Sequence, residues 1–347
     1  MKRRITSALL FTIFMVAELI VVFTAQAEQN ILATDQDVIV VDKHGNGDYK
    51  TIQQAINSAA EGTNILVKAG EYNEILNIKK KIGLIGEDKG KTTINPISEK
   101  NKYALRLGVP GITIKGLSIS NGAPGLYSTG IRISAANIEI NDCNFYDNPI
   151  GIAIWTSGNT IANCTFWNCK DEGIALLGSS SSPCDNNIII NSVFHHNCDG
   201  IELQHSSDTI IKDCEFHENT HTGIDAIASH NDRNTIENCN IYNNEVHGIY
   251  LSSSVDNRII DCSVVDNKDG NIVMNKYSKN NQIISNSASE EEHDDDQLVE
   301  ESEGEVFDAP VESKEEPVGG DIIGSIFNVL SHLNIQRIIP LFTLQNF

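Results

Sequence analysis

The feature that most limits how this chain can fold is a motif that returns at intervals of 21, 22, 27, 23, 25 and 23 residues. It reads GIRI from Gly130, GIAI from Gly151, GIAL from Gly173, GIEL from Gly200, GIDA from Gly223 and GIYL from Gly248, with NIVM from Asn271 as a seventh copy. A second landmark follows each one: NDCNF, ANCTF, INSVF, KDCEF, ENCNI and IDCSV, ending at Phe145, Phe166, Phe194, Phe216, Ile241 and Val264. Three residues later comes Asn148, Asn197, Asn219, Asn244 or Asn267, with Cys169 in that place once. Each period holds two or three short runs of alternating or apolar residues, separated by Asn, Asp, Gly and Ser, and no helical pattern intervenes. A repeat of this length built from short strands winds into a solenoid. Each strand then pairs with its equivalent one coil away, at a spacing of about 4.8 Å. Equivalent residues therefore stack in columns, with Ile and Phe inside and Asn at the corners.

The expected fold is all-β: a single-stranded parallel β-helix over residues 37–288. The stretch DYKTIQQAINSAAEGTNI places Ile52, Ala55, Ile56 and Ala59 on one side, which predicts a short helix capping the open first coil. Cys143, Cys164, Cys214, Cys239 and Cys262 fall in one inward column, where small apolar residues belong, and are read as buried thiols. Cys169, Cys184 and Cys198 lie off that column, leaving one bridge among them open.

The ends differ in character from the repeat. Lys2, Arg3 and Arg4 precede a long apolar run, and Ala25-Gln26-Ala27 has the form of a cleavage site, so residues 1–27 read as a secretion signal and the protein as secreted or held at the cell surface. Residues 289–318 read as a disordered acidic linker. Its segment 290–318 carries fourteen Asp and Glu against one Lys, more than half of the formal charge of −22. The remainder is only moderately acidic, which argues against a nucleic-acid partner. Residues 319–347 resume an apolar periodicity through Ile322, Ile323, Ile326, Phe327, Leu330 and Leu333, predicting an amphipathic helix that either caps the last coil or meets a membrane surface or another protein.

These repeats resemble those of the right-handed parallel β-helix proteins of the pectin-lyase-like superfamily, including NosD-like and other carbohydrate-binding and sugar-hydrolase members. The opening VVDKHGNGDYKTIQQAINSAAEGTNILVKAGEYNE is similar to the first coil of pectin methylesterases. The resemblance implies a monomer that acts on or binds polysaccharide. It implies no esterase chemistry, because the Gln-containing, Asp-Phe-Ile-Phe-Gly and Gly-Arg-Pro-Trp type strands of those esterases have no counterpart here.

Strand alternation assigns the outward positions. The residue two after each Gly gives the column Arg132, Ala153, Ala175, Glu202, Asp225, Tyr250 and Val273, of which Arg132 is the sole arginine. The residue four after gives Ser134, Trp155, Leu177, Gln204, Ile227 and Ser252. Glu172, Asp199, Thr222 and His247 stand just before Gly at the corner. Glu172, Asp199, Glu202 and Asp225, with His205 and His221, are thus candidate catalytic residues, and Trp155, Gln204, Tyr250 and His247 candidate substrate contacts. Carboxyl groups on stacked coils suit a glycosidase pair, while in a uronate lyase or epimerase the same acids would hold Ca²⁺. A second reading is a transition-metal site at His195 and His217, in line with the resemblance to NosD-like proteins. A third is a non-catalytic glycan-binding or structural surface.

Overall fold

The computed structural model describes residues 38–96, 102–121, 128–287 and 290–292. The expected signal segment, most of the acidic linker and the expected C-terminal helix lie outside the described residues.

The described chain is a parallel, right-handed β-helix of about ten turns. Its strands form three sheets of eleven, ten and nine members, and within each sheet every strand pairs with its equivalent one coil before and one coil after. The register of the ten-stranded sheet carries Ile131 onto Ile152, Ile174, Ile201, Ile224, Ile249 and Ile272 in turn. That is the column the repeat alignment predicts. The Phe column is equally regular: Phe145, Phe166, Phe194 and Phe216 stack with ring centroids 4.7 Å apart. The glycine of the motif makes room for those rings, since a Cβ on Gly200 would stand 2.6 Å from the Phe216 ring.

Corners and interior columns turn out to be separate residues. Left-handed backbone recurs at five-residue intervals, as at Asp208, Asp213 and Glu218 or at Arg233, Asn238 and Asn243. Each such residue immediately precedes a buried one. The stacked asparagines are therefore not the turn formers; they sit one position later and point inward. Asn197 donates through Nδ2 to Asn219 Oδ1, Asn219 to Asn244 Oδ1, and Asn244 to Asn267 Oδ1, at 3.1, 2.9 and 2.8 Å. Another amide ladder, invisible in the motif alignment, runs through Asn159 and Asn187 and through Asn234, Asn257 and Asn281. Each amide offers a donor and an acceptor, so a column of them satisfies itself in a dry interior.

The predicted helix forms at Ile52–Ser58 and buries Ile52, Ala55 and Ile56, with Ala59 just beyond. Its first free N–H groups, on Ile52 and Gln53, donate to the two carboxylate oxygens of Glu74 at 2.8 and 3.0 Å. All eight cysteines are unbridged. The five of the inward column turn their thiols to the carbonyl two residues earlier, as Cys164 does to Ala162 at 3.1 Å. The open bridge among Cys169, Cys184 and Cys198 does not form. Cys169 takes the amide-ladder position below Asn197, Cys184 bonds the carbonyls of Ile154 and Thr156, and Cys198 stands just before the strand Asp199–Gln204, so the three belong to separate columns. The β-helix also runs slightly further than its repeats suggest. Glu290–Glu292 pairs with Ile272–Met274 as a last strand, because parallel pairing uses backbone groups that any residue supplies.

Candidate active site

The outward face of the ten-stranded sheet is built by register alone. Along its central column stand Asn77, Arg106, Arg132, Ala153, Ala175, Glu202, Asp225, Tyr250 and Val273, each opposite the next. At the N-terminal ends of the same strands Glu172 is paired with Asp199. The fold thus brings Glu172, Asp199, Glu202 and Asp225 together on adjacent coils, and His221 joins them from the corner after Asn219.

His221 donates through Nδ1 to Asp199 Oδ1 at 2.7 Å, and the same Nδ1 lies 3.9 Å from Asp225 Oδ2. The backbone N–H of Thr222 also donates to Asp199 Oδ1, at 2.7 Å. Asp199 is thereby fixed by two donors. Its neighbours are not so well supplied: Glu172 Oε2 and Asp225 Oδ1 are buried without a hydrogen-bond partner. Glu172, Asp199 and Asp225 are 6%, 6% and 5% exposed, although their columns face outward. Only Glu202 and His221 of the group reach solvent appreciably.

Packing acids against acids changes their proton affinity. Burial, and then the facing Asp225, push the Glu202 carboxyl up to about 8. Burial, and then Asp199, push Asp225 up to about 7, with His221 opposing. Glu172 is held well above the usual carboxylate range by burial, then by Glu202 and Asp171. His221 is raised by its bond to Asp199 and by the acids around it, so its cationic form is favoured. The site is a set of carboxyl groups that shares protons at neutral pH. Asp199, His221 and Asp225 also offer ligand atoms that all lie within 4.8 Å of one another, the one such group among the described residues.

Other candidates lie elsewhere. His205 follows the strand Asp199–Gln204 in left-handed backbone and stacks on His230 at 5.6 Å. Six residues along an extended strand is about 20 Å, so His205 and Gln204 stand at the far end of the strand from Asp199. The loop GSSSSPCDNN at residues 178–187, closed by a bridge between Ser179 and Ser182, follows the strand Glu172–Leu177 and so also lies at that far end, away from the acids. Trp155 lies on the sheet face beside Ile150, Ala153 and Ala175. Tyr250 is paired with Asp225 and stacks on His247 at 5.2 Å. His195 and His217 stack as expected, at 5.1 Å, but within a ladder that runs Tyr146, Trp167, His195, His217, Tyr242 on the nine-stranded sheet. Their Nδ1 atoms face His196 and Glu218, and among the described residues they form no group of three ligands.

The motif alignment missed two members of this face. Asp171 precedes the landmark Glu172, and its carboxyl is raised by burial among the same acids. Arg106 sits in an irregular coil where Ala104 replaces the motif glycine; laying YALRL over TGIRI would have placed it beside Arg132.

Comparison with known proteins follows this geometry. Pectinesterase 4 of Arabidopsis thaliana is 27% identical over 169 residues, 44% of this chain, and the chain spans 28% of that relative's length. Among solved structures, the mannuronan C-5 epimerase AlgE4 A-module of Azotobacter vinelandii superposes with a TM-score of 0.54 at 18% identity, covering 69% of this chain and 83% of the module. ORF18 of Geobacillus virus E2 superposes with a TM-score of 0.51 at 14% identity, over 78% of this chain and 62% of that one. At such identities the structures share the fold. The family described as "Right handed beta helix region" matches residues 71–231 and 182–294, which is more than half of the sequence, and the chain belongs to that family.

Proposed function

We propose that the chain acts on polysaccharide and hydrolyses a glycosidic bond, with Glu202 as the acid and Asp225 as its partner carboxylate. The observation that carries this reading is the stacked, mutually raised pair: Glu202, at about 8, holds its proton more tightly than Asp225, at about 7, which is about half ionised at neutral pH. Paired positions one coil apart, at about 4.8 Å, fall near the carboxyl separation of retaining glycosidases. In this scheme Asp225 attacks the anomeric carbon as the glycosidic C–O bond breaks, and the leaving oxygen takes the bonding pair and the Glu202 proton. Water, losing a proton to the Glu202 carboxylate, then displaces Asp225 and restores both groups. His221, whose side chain is 45% exposed, borders Asp225 and is the cover that turns aside to admit substrate.

Charge favours hydrolysis over uronate lysis or epimerisation. A glycosidic transition state gains positive charge, which favours ionisation of the surrounding carboxyl groups and is stabilised by them. Proton abstraction beside a uronate carboxylate builds negative charge, and the acids would oppose it. The nearest arginine in the column, Arg132, is three coils from Glu202. The curated relative and the structural neighbour are, by name, a pectinesterase and a mannuronan epimerase, which supports a polysaccharide as the substrate class.

The test is release of new reducing ends from a panel of neutral and partly acidic polysaccharides. Wild type should turn over with a bell-shaped pH profile centred between about 7 and 8, and Glu202→Gln should lose about 10²–10⁴-fold. An unsaturated or C5-inverted product would replace this reading with a lyase or an epimerase; no turnover on any substrate would leave a glycan-binding surface. Export through residues 1–27 belongs to the same proposal, and a mature N-terminus at Glu28 would support it.

A further inference from the structure

The same outward column that carries the acids carries two arginines at its other end, and hydrolysis makes no use of them. Arg106 and Arg132 are directly opposite each other on adjacent strands, at about one coil spacing. Like charges in that relation repel, yet no carboxylate is within ion-pair distance of either among the described residues. Arg132 is half-buried, with its guanidinium centred 4.4 Å over the Trp155 ring, which orients it without neutralising it. Burial and the charge of Arg106 both act against its cationic form. Two guanidinium forks side by side, one of them held on an aromatic plane, can each offer a pair of parallel N–H donors to one oxyanion.

Between this pair and the acids the column is Ala153 and Ala175, both fully buried with Ile150 beneath the flank of Trp155 and Leu177. Trp155 and Leu177 cover the two alanines, so the surface between the arginines and the acids is apolar and uncharged. Arg132 and Glu202 are three pairing steps apart, about 14 Å at the usual strand spacing. A pyranose ring advances an extended glycan by roughly one coil spacing, so the two ends of the column are separated by a short run of sugars.

We propose that Arg106 and Arg132 form an anion subsite that binds a carboxylate or sulfate substituent about three sugars away from the bond held over Glu202, so that the preferred substrate is a heteropolysaccharide with widely spaced acidic groups. The sign of charge at each end sets this pattern. The acid cluster rejects an anionic sugar, and the arginine pair requires one. A polymer charged on every unit would place its own carboxylates against Glu202, Asp225 and Asp199; a wholly neutral one would leave the arginines unanswered. The inference rests on the reading of the acids as the site of polysaccharide action, but its binding half stands independently of turnover.

The experiment measures affinity and turnover separately on the full chain. The probes are an oligosaccharide of gellan, which is linear with one uronate per four sugars, its carboxyl-reduced neutral counterpart, and an oligogalacturonate charged on every unit. The gellan oligosaccharide should bind about tenfold or more tightly than either control. Arg106→Gln and Arg132→Gln should each abolish that preference and flatten its salt dependence, and Arg106→Gln should do so with the melting temperature unchanged. Arg106 has no hydrogen-bond partner among the described residues, so its variant reports on ligand and not on folding. Equal binding of the gellan oligosaccharide and its reduced form, or full retention of the preference in Arg106→Gln, would overturn the subsite even if neutral polysaccharide is hydrolysed. Arginine-dependent binding without any turnover would keep the subsite and remove the hydrolase reading.

Discussion

Two sets of stacked polar residues in this molecule share the coil spacing and are chemically opposite. The amide ladder of Asn197, Asn219, Asn244 and Asn267 lies inside the coil, and the carboxyl group of Glu172, Asp199, Glu202 and Asp225 lies on its outer face. Both repeat one functional group at the coil spacing. The amides gain by it, because each donates to the next and accepts from the one before. The ionised carboxylate has only acceptors, so repetition leaves lone pairs unanswered at Glu172 and Asp225 and drives the group to retain protons. Stacking like on like is therefore stabilising where the residue is self-complementary, and becomes a reactive arrangement where it is not.

The sharpest way to break the comparison is to exchange the chemistry. Asn219→Asp puts a carboxylate where an amide donates to Phe194 O and Asn244 Oδ1. It should cost about 3–5 kcal/mol at neutral pH, the usual penalty for an uncompensated buried charge, and part of that loss should return in acid, where the protonated group again has a donor. Urea unfolding at pH 7 and pH 4 measures both.

The converse exchange should stabilise. Glu202 and Asp225 have folded-state values of about 8 and about 7 against ordinary values of 4.5 and 3.8. The native state thus holds these protons more tightly than the unfolded chain. Their favourable contribution is complete below about pH 4 and is lost as pH rises through about 7 to 8. The melting temperature of the wild type should fall across that window. Asp225→Asn should flatten the fall and raise the melting point at pH 8 by about 2–4 °C for each kcal/mol of repulsion removed. A pH-independent wild type would mean that the acids do not face one another as described.

The smallest effect concerns the cysteine column, which tolerates repetition because the thiol is small and weakly polar. Reductant should leave the melting temperature unchanged, and all eight thiols should titrate after unfolding. A shift on reduction would show that a bridge contributes to the fold.

The columns could be read from the sequence because a solenoid converts period into position. Once GIEL and GIDA are aligned, Glu202 must face Asp225, and the register obeys. Burial could not be read in the same way. Alternation says that Asp225 points outward, but its 5% exposure depends on how neighbouring side chains close over it, and no periodicity encodes that. His205 shows the limit along the strand: a separation of six residues from Asp199 became the length of a strand. Arg106 shows the limit across coils, where one substituted glycine hid a residue whose place was fixed by pairing.

The pairing that separates Arg132 from Glu202 has a consequence for how such a protein can change. Distance along this face is counted in whole coils, since a strand either pairs at its equivalent position or not at all. Residues 150–171 make up one such coil, and their removal would bring Arg132 one step closer to Glu202 and keep Glu172, at the loss of Trp155 and Asp171, with every remaining column in frame. Selectivity for the spacing of charge on a glycan would then vary as an integer, by gain or loss of a coil, with no intermediate settings for point substitutions to explore.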